Sequence, residues 1–126
     1  MHESFTSNIS FYFKASRIHI FVNVLRGIGS PSRICFKIDE TGQYLLLVPY
    51  SKHDFRSHPV SKEVYRGNDS MEVCSMKLCR IIAKLHGLDL DSSYRMPGYV
   101  DMDDKIAVFD LSKASLIRRG YSSWRR

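Results

Sequence analysis

Apolar residues in this chain alternate in short runs that Gly, Pro and Asp-rich turns keep interrupting, and only two segments switch to helical spacing. That pattern excludes a helical bundle and requires a sheet of short strands with two small helices. Ile9, Phe11 and Phe13 face one way, and Ile18 and Ile20 resume the alternation after Ala15-Ser16. Two strands meeting near Lys14–Ser16, or one bulged strand, fit this spacing. Phe21, Val24, Leu25 and Ile28 then fall at i, i+3, i+4, i+7, a two-turn helix with Gly29 at its left-handed stop and Pro31 barring continuation. Ile34, Phe36 and Ile38 share one face of the next strand. The turn Glu40-Thr41-Gly42 leads into Tyr44–Val48, so these two strands form a hairpin.

The same order recurs. A polar connector, residues 51–69, holds a candidate edge strand at Pro59–Val64 and the turn Arg66-Gly67-Asn68-Asp69. Ser70–Cys74 reads as a strand and Ser75 as an N-cap. Met76–His86 reads as a helix that presents Leu78, Ile81, Ile82 and Leu85 to the core, with Gly87 as its stop. Ser93–Val100 and Lys105–Asp110 are strands joined by the acidic turn Asp101-Met-Asp-Asp104, and Pro97 assigns the first to an edge or a bulge. The chain therefore divides into residues 1–50, an N-terminal strand and first strand–helix–hairpin repeat; the connector, 51–69; a diverged second repeat, 70–117; and a basic-aromatic tail, 118–126. The expected class is α+β, mostly antiparallel, with two short helices.

Composition narrows the function classes. With 126 residues, 44% hydrophobic and 25% charged, the chain has the make-up of a globular domain. Its net charge of +6 is concentrated: Arg118, Arg119, Arg125 and Arg126 lie in a tail without acids, and the rest carries only +2. No apolar run approaches the ~20 residues of a membrane span, and the start, Met1-His2-Glu3-Ser4, lacks the pattern of a secretory signal. A cytoplasmic protein with reduced thiols at Cys35, Cys74 and Cys79 is expected, and Cys79 falls on the apolar helix. Scattered histidines give no zinc spacing, so neither metal nor cofactor is expected. No nucleophile elbow, zinc-protease helix or P-loop occurs. His53 and His58 beside Asp54, and the acids of residues 101–104, are ordinary loop composition, and no enzyme is expected.

Residues Arg17-Ile-His-Ile-Phe-Val-Asn-Val-Leu-Arg-Gly-Ile-Gly29, followed by the alternating hairpin through Val48, resemble the AbrB-like (SpoVT-AbrB) swapped-hairpin family. Arg17 matches that family's strand arginine, Ile20 its isoleucine, Arg26 one of its two helix arginines, and Ile28-Gly29 its Leu-Gly stop. Ser16 stands in place of the usual glycine, Phe21 of the helix-starting proline, and Leu25 of the other helix arginine. The resemblance implies a swapped-hairpin barrel, a homodimer or higher oligomer, and duplex DNA binding by a small transcription regulator. It implies contacts from Arg17 and Arg26, with Lys14 and Arg33 supporting them on phosphates. Lys77, Arg80 and Lys84 form a second basic stripe, which reads either as a phosphate track or as the wet side of an amphipathic helix. The tail residues Arg118, Arg119, Trp124, Arg125 and Arg126 read equally as a nucleic-acid arm, a solubilising end or a segment that folds against another subunit. The competing reading is an accessory or mobile-element protein, non-catalytic, that binds a host protein or a small anionic ligand such as a nucleotide.

Overall fold

A computed structural model describes residues 3–67 and 69–117, which leaves Asn68 and all the named tail residues, Arg118, Arg119, Trp124, Arg125 and Arg126, outside the described residues. The two-strand reading of the N-terminal region holds. β1 (Ser4–Tyr12) and β2 (Arg17–Phe21) pair antiparallel across a single 3₁₀ turn, Phe13–Ala15. α1 (Val22–Gly27) follows, then the hairpin β3 (Arg33–Ile38) and β4 (Tyr44–Pro49). The edge strand β5 is Ser57–Pro59, shifted from the expected Pro59–Val64. Residues Lys62–Arg66 form a 3₁₀ helix instead, started by the Ser61 side chain, which accepts from the Glu63 amide. β6 (Ser70–Cys74), α2 (Met76–His86), the hairpin β7 (Ser93–Asp101) and β8 (Ile106–Asp110), and the short β9 (Ser115–Leu116) complete the described chain.

The strands form one nearly closed, barrel-like antiparallel sheet with the path β5-β3-β4-β8-β7-β1-β2-β6, and β9 adds to β7. The two halves are threaded through each other. β2 pairs with β6, β4 with β8, and β1 runs beside β7 for nine residue pairs. Inward rows from both halves, including Ile9, Phe11, Ile18, Ile20, Leu45, Leu47, Met96 and Phe109, fill the interior and are fully buried. The helices close opposite ends of β1. α1 buries Val22, Val24 and Leu25 and lies against Phe5 and Val100, whereas α2 packs on the Phe13–Ala15 turn.

α2 is bounded by the local signals expected of it. The Ser75 hydroxyl accepts from the Leu78 amide at 3.2 Å, and Gly87 takes φ +62°. It is tied at both ends: the Ser75 amide donates to the Ser16 carbonyl at 3.0 Å, and His86 Nε2 lies 2.8 Å from the Gly42 carbonyl. Its buried stripe differs from the expected one. Cys79, Ile82 and Ala83 enter the core, while Ile81 and Leu85 stay exposed. The helix bridges the barrel mouth instead of lying across a sheet face, so only a narrow stripe meets the core. Leu78 and Ile81 flank a shallow cleft with Phe36 and Phe55.

Pro97 departs from expectation too, since β7 is an inner strand. The Ser93 carbonyl accepts from the Ile117 amide on the β9 side, so by the two-residue alternation Pro97 also points its backbone to that side. There, β9 pairs as far as Arg95 and β8 begins at Gly98, so the missing N–H falls where no partner strand runs.

Gly98 of β7 lies close against β8, opposite Phe109. A Cβ there would lie 2.0 Å from the Val108 carbonyl oxygen and 2.8 Å from Phe109 Cα, both backbone atoms. Gly98→Ala must push the two strands apart and is expected to lower the free energy of urea unfolding by about 3 kcal/mol. Gly67→Ala, with only the Asp69 amide at 4.0 Å, is expected to stay within about 0.5 kcal/mol. Equal losses for the two variants would show that the β7–β8 contact is not close-packed.

Candidate functional site

The sequence-predicted basic residues separate into two kinds. Lys14 sits in the turn between β1 and β2, exposed and without a hydrogen bond or ion pair among the described residues. The turn closes through Ser16 at φ +53°, in the left-handed region that glycine favours. Arg17 opens β2 on the outer face of the sheet, half exposed, next to the same turn. Lys14 and Arg17 thus line one groove of about 700 Å³, together with Tyr12, His19, Glu72 and Asp91.

Arg26 and Arg33 lie elsewhere. Arg26 Nη2 donates to the carbonyls of Tyr65 at 2.8 Å and Gly67 at 2.7 Å, pinning the connector to α1. It borders separate depressions with Phe21, Asn23 and Asp69. Arg33 Nε donates to Ser57 Oγ at 2.8 Å, on the β3–β5 pair. Beside it, burial first and the Arg33 charge second push His58 below its ordinary value. These two arginines are built into the connector's attachment.

Two members of the groove come from a strand pairing that periodicity alone does not reveal. β2 and β6 place His19 directly opposite Glu72 and Arg17 opposite Cys74. Glu72 accepts from Arg17 Nη1 at 2.8 Å through one carboxylate oxygen and contacts His19 Nε2 through the other. The hydrogen bond from His19, with the nearby Arg17 charge, holds the Glu72 carboxyl below the usual carboxylate value. The Tyr12 ring meets the His19 ring edge-on, with centroids 5.0 Å apart. Among the described residues, this leaves Lys14 as the unpaired cation of the groove.

The turn's docking on α2 adds a third basic residue. Arg80 lines a smaller depression with Lys14, Phe13, Cys79 and Asp91. Lys77 and Lys84 stand exposed on the same arc of the helix. Cys79 beneath them is a packing residue, its thiol pushed up to about 11 chiefly by burial. The acids expected to oppose such a stripe divide in position. Asp91 is close by, and Asp89 accepts from the Asp91 amide and the Ser92 hydroxyl within its own turn. Asp101 accepts the amides of Asp103 and Asp104 in the β7–β8 turn, at the other end of β1.

Among the described residues, no group of His, Cys, Asp and Glu is arranged to hold a metal ion, and no helix is long and apolar enough to cross a membrane. Comparison with protein-family models, with curated proteins and with solved structures gives no match.

Folding depresses the Glu72 carboxyl, so its contribution to stability is present above the ordinary glutamate value of about 4.3 and is lost as pH falls through the lower folded value. The stability gap between the unsubstituted protein and Glu72→Gln is therefore expected to be widest near pH ~6 and to close toward pH ~3. Urea unfolding across that range checks it, and a gap independent of pH would show that the contacts from His19 and Arg17 do not favour the carboxylate.

Proposed function

We propose that this protein is a small, non-catalytic DNA-binding protein of AbrB-like type that holds the phosphate backbone of a duplex. The contact is the ridge Arg17–Lys14–Arg80, extended along α2 by Lys77 and Lys84. The observation that carries this reading is that Lys14 and Arg80, 66 positions apart in sequence, line one depression because the Phe13–Ala15 turn docks on α2. Exposed arginine and lysine suit phosphates by charge and by donor number. Arg17 serves as the family resemblance implies, whereas Arg26 and Arg33 act here as structural anchors.

The pairing of the halves supports the repeat reading. The first strands of the two segments, β2 and β6, pair antiparallel, and so do the last, β4 and β8. Antiparallel pairing of equivalent strands is what an approximate two-fold relation between repeats requires. Within this reading, one chain buries the strand faces for which two copies of a single repeat would be needed. A homodimer, as a regulator of palindromic sites would use, would then be built from other surfaces.

Five ridge cations predict that log affinity for duplex DNA falls against log salt with a slope of about −4. Lys14→Ala with Arg80→Ala should lower the slope's magnitude by about 2 and weaken binding across unrelated sequences. Fluorescence anisotropy with a labelled duplex at several salt concentrations measures both. Binding that is salt-independent, or untouched by the double substitution, sinks the proposal.

A further inference from the structure

The groove beside the ridge has features that phosphate-backbone binding does not use. At about 700 Å³ it falls within the ~300–1,000 Å³ range of small-molecule sites. Its lining includes Lys14, which has no partner among the described residues, and Arg17. One wall is the half-exposed ring of Tyr12, braced by the edge-on His19, so the ring is held at a set angle. Leu116 and Ile117 add an aliphatic side. Asp91, Ser92 and Ser93 line the same groove, with the Ser92 hydroxyl already donating to Asp89.

Each feature selects a part of the occupant. Lys14 and Arg17 call for an anion with several acceptor oxygens. Tyr12 against the aliphatic side calls for a flat ring. The Asp91 carboxylate calls for N–H or O–H donors, since an ionised carboxylate can only accept. Inorganic phosphate would leave the ring and the aliphatic side uncovered, and an uncharged aromatic would leave Lys14 unused. We propose that the groove binds a nucleoside monophosphate unit, with the phosphate at Lys14 and Arg17, the base on Tyr12, and a base amine or ribose hydroxyl donating to Asp91. The unit is either a free nucleotide or the 5′-phosphorylated end of a single strand. The proposal stands apart from duplex binding but meets it at Lys14, which both use, so each ligand must weaken the other by the same factor.

Isothermal titration of the full chain with AMP, GMP, CMP and UMP, with adenosine, and with ribose 5-phosphate tests this. At least one nucleotide is expected to bind about tenfold more tightly than both adenosine and ribose 5-phosphate, the loss from removing either a charged hydrogen bond or a stacked base. Tyr12→Leu should cost the nucleotide about tenfold and leave ribose 5-phosphate unaffected, with Tyr12→Phe restoring affinity. Lys14→Ala should cost the nucleotide about tenfold and leave adenosine unaffected. Tighter binding of a short 5′-phosphorylated oligonucleotide than of the free nucleotide supports the strand end as the source, and the reverse supports the free nucleotide. Ribose 5-phosphate binding as tightly as the nucleotides, nucleotide affinity indifferent to both substitutions, or no binding at millimolar nucleotide overturns the proposal. Tyr12→Leu alters the groove alone, and Lys77→Ala with Lys84→Ala alters the ridge alone. Nucleotide binding without duplex binding therefore removes only the DNA reading, and duplex binding without nucleotide binding removes only this one.

Discussion

The structure hangs on the ladder between β1 and β7. Nine residue pairs join the first strand of the chain to the hairpin near its end, Ser4 to Asp101 through Tyr12 to Ser93. β1 holds β2 on its other edge, so this one strand connects the segment before the connector to the segment after it. Its inward residues Ile9 and Phe11 are fully buried between both neighbours. Burial on that scale is the main favourable term available to a chain of this size. Closing a loop of some ninety residues costs only slightly more than closing a shorter one, because the entropy grows with the logarithm of length. The threading of the halves is therefore inexpensive in stability, although long-range pairing of this kind slows folding.

What was legible in the sequence was what is decided locally. α2 occupies Met76–His86, as its cap and stop residues require, because Ser75 and Gly87 act within one turn of the helix ends. Ser70–Cys74 and the hairpin around Gly42 are equally local, since alternation and turn chemistry need no distant partner. The failures depend on partners. Pro97 looks incompatible with an inner strand until the gap between β8 and β9 is seen. Ile81 and Leu85 fit the helical core template, and only the helix's position at the barrel mouth turns them outward. The same division applies to the site. That Lys14 and Arg17 share one groove was legible because they stand near each other in the chain. The bonds of Arg26 and Arg33 to Tyr65, Gly67 and Ser57 were not legible, because they cross into the connector. The His19–Glu72 pair requires the β2–β6 register, and Arg80 requires the docking of a turn on a helix.

Charge in this protein is sorted by pairing more than by number. Arg17 is half exposed but shares its carboxylate with His19, so its field is partly cancelled at source. Exposed pairs of this kind add little to stability, yet they orient side chains, and Glu72 fixes both Arg17 and His19 on the groove face. Arg56 is similarly engaged with Asp54, and Arg66 with Glu63, so neither contributes an open cation. Lys14 has no such partner among the described residues, which makes the turn more positive than a count of residues suggests.

Distance completes the sorting. The acidic turn at Asp101–Asp104 lies beside Ser4, and the Lys14 turn lies beyond Tyr12 at the other end of the same strand. Eight residue steps of an antiparallel strand span about 27 Å. At physiological salt the screening length is about 8 Å, so charges that far apart across solvent scarcely influence one another. The near-neutral body is thus a poor guide to its surface: a basic end and an acidic end coexist, and an anion approaching the turn meets Lys14 and Arg80, with Asp91 and Glu72 lining the same depressions among the described residues. Glu72 is already engaged by Arg17 and His19, which leaves Asp91, on the same groove, as the acid that limits how strongly this end attracts an anion.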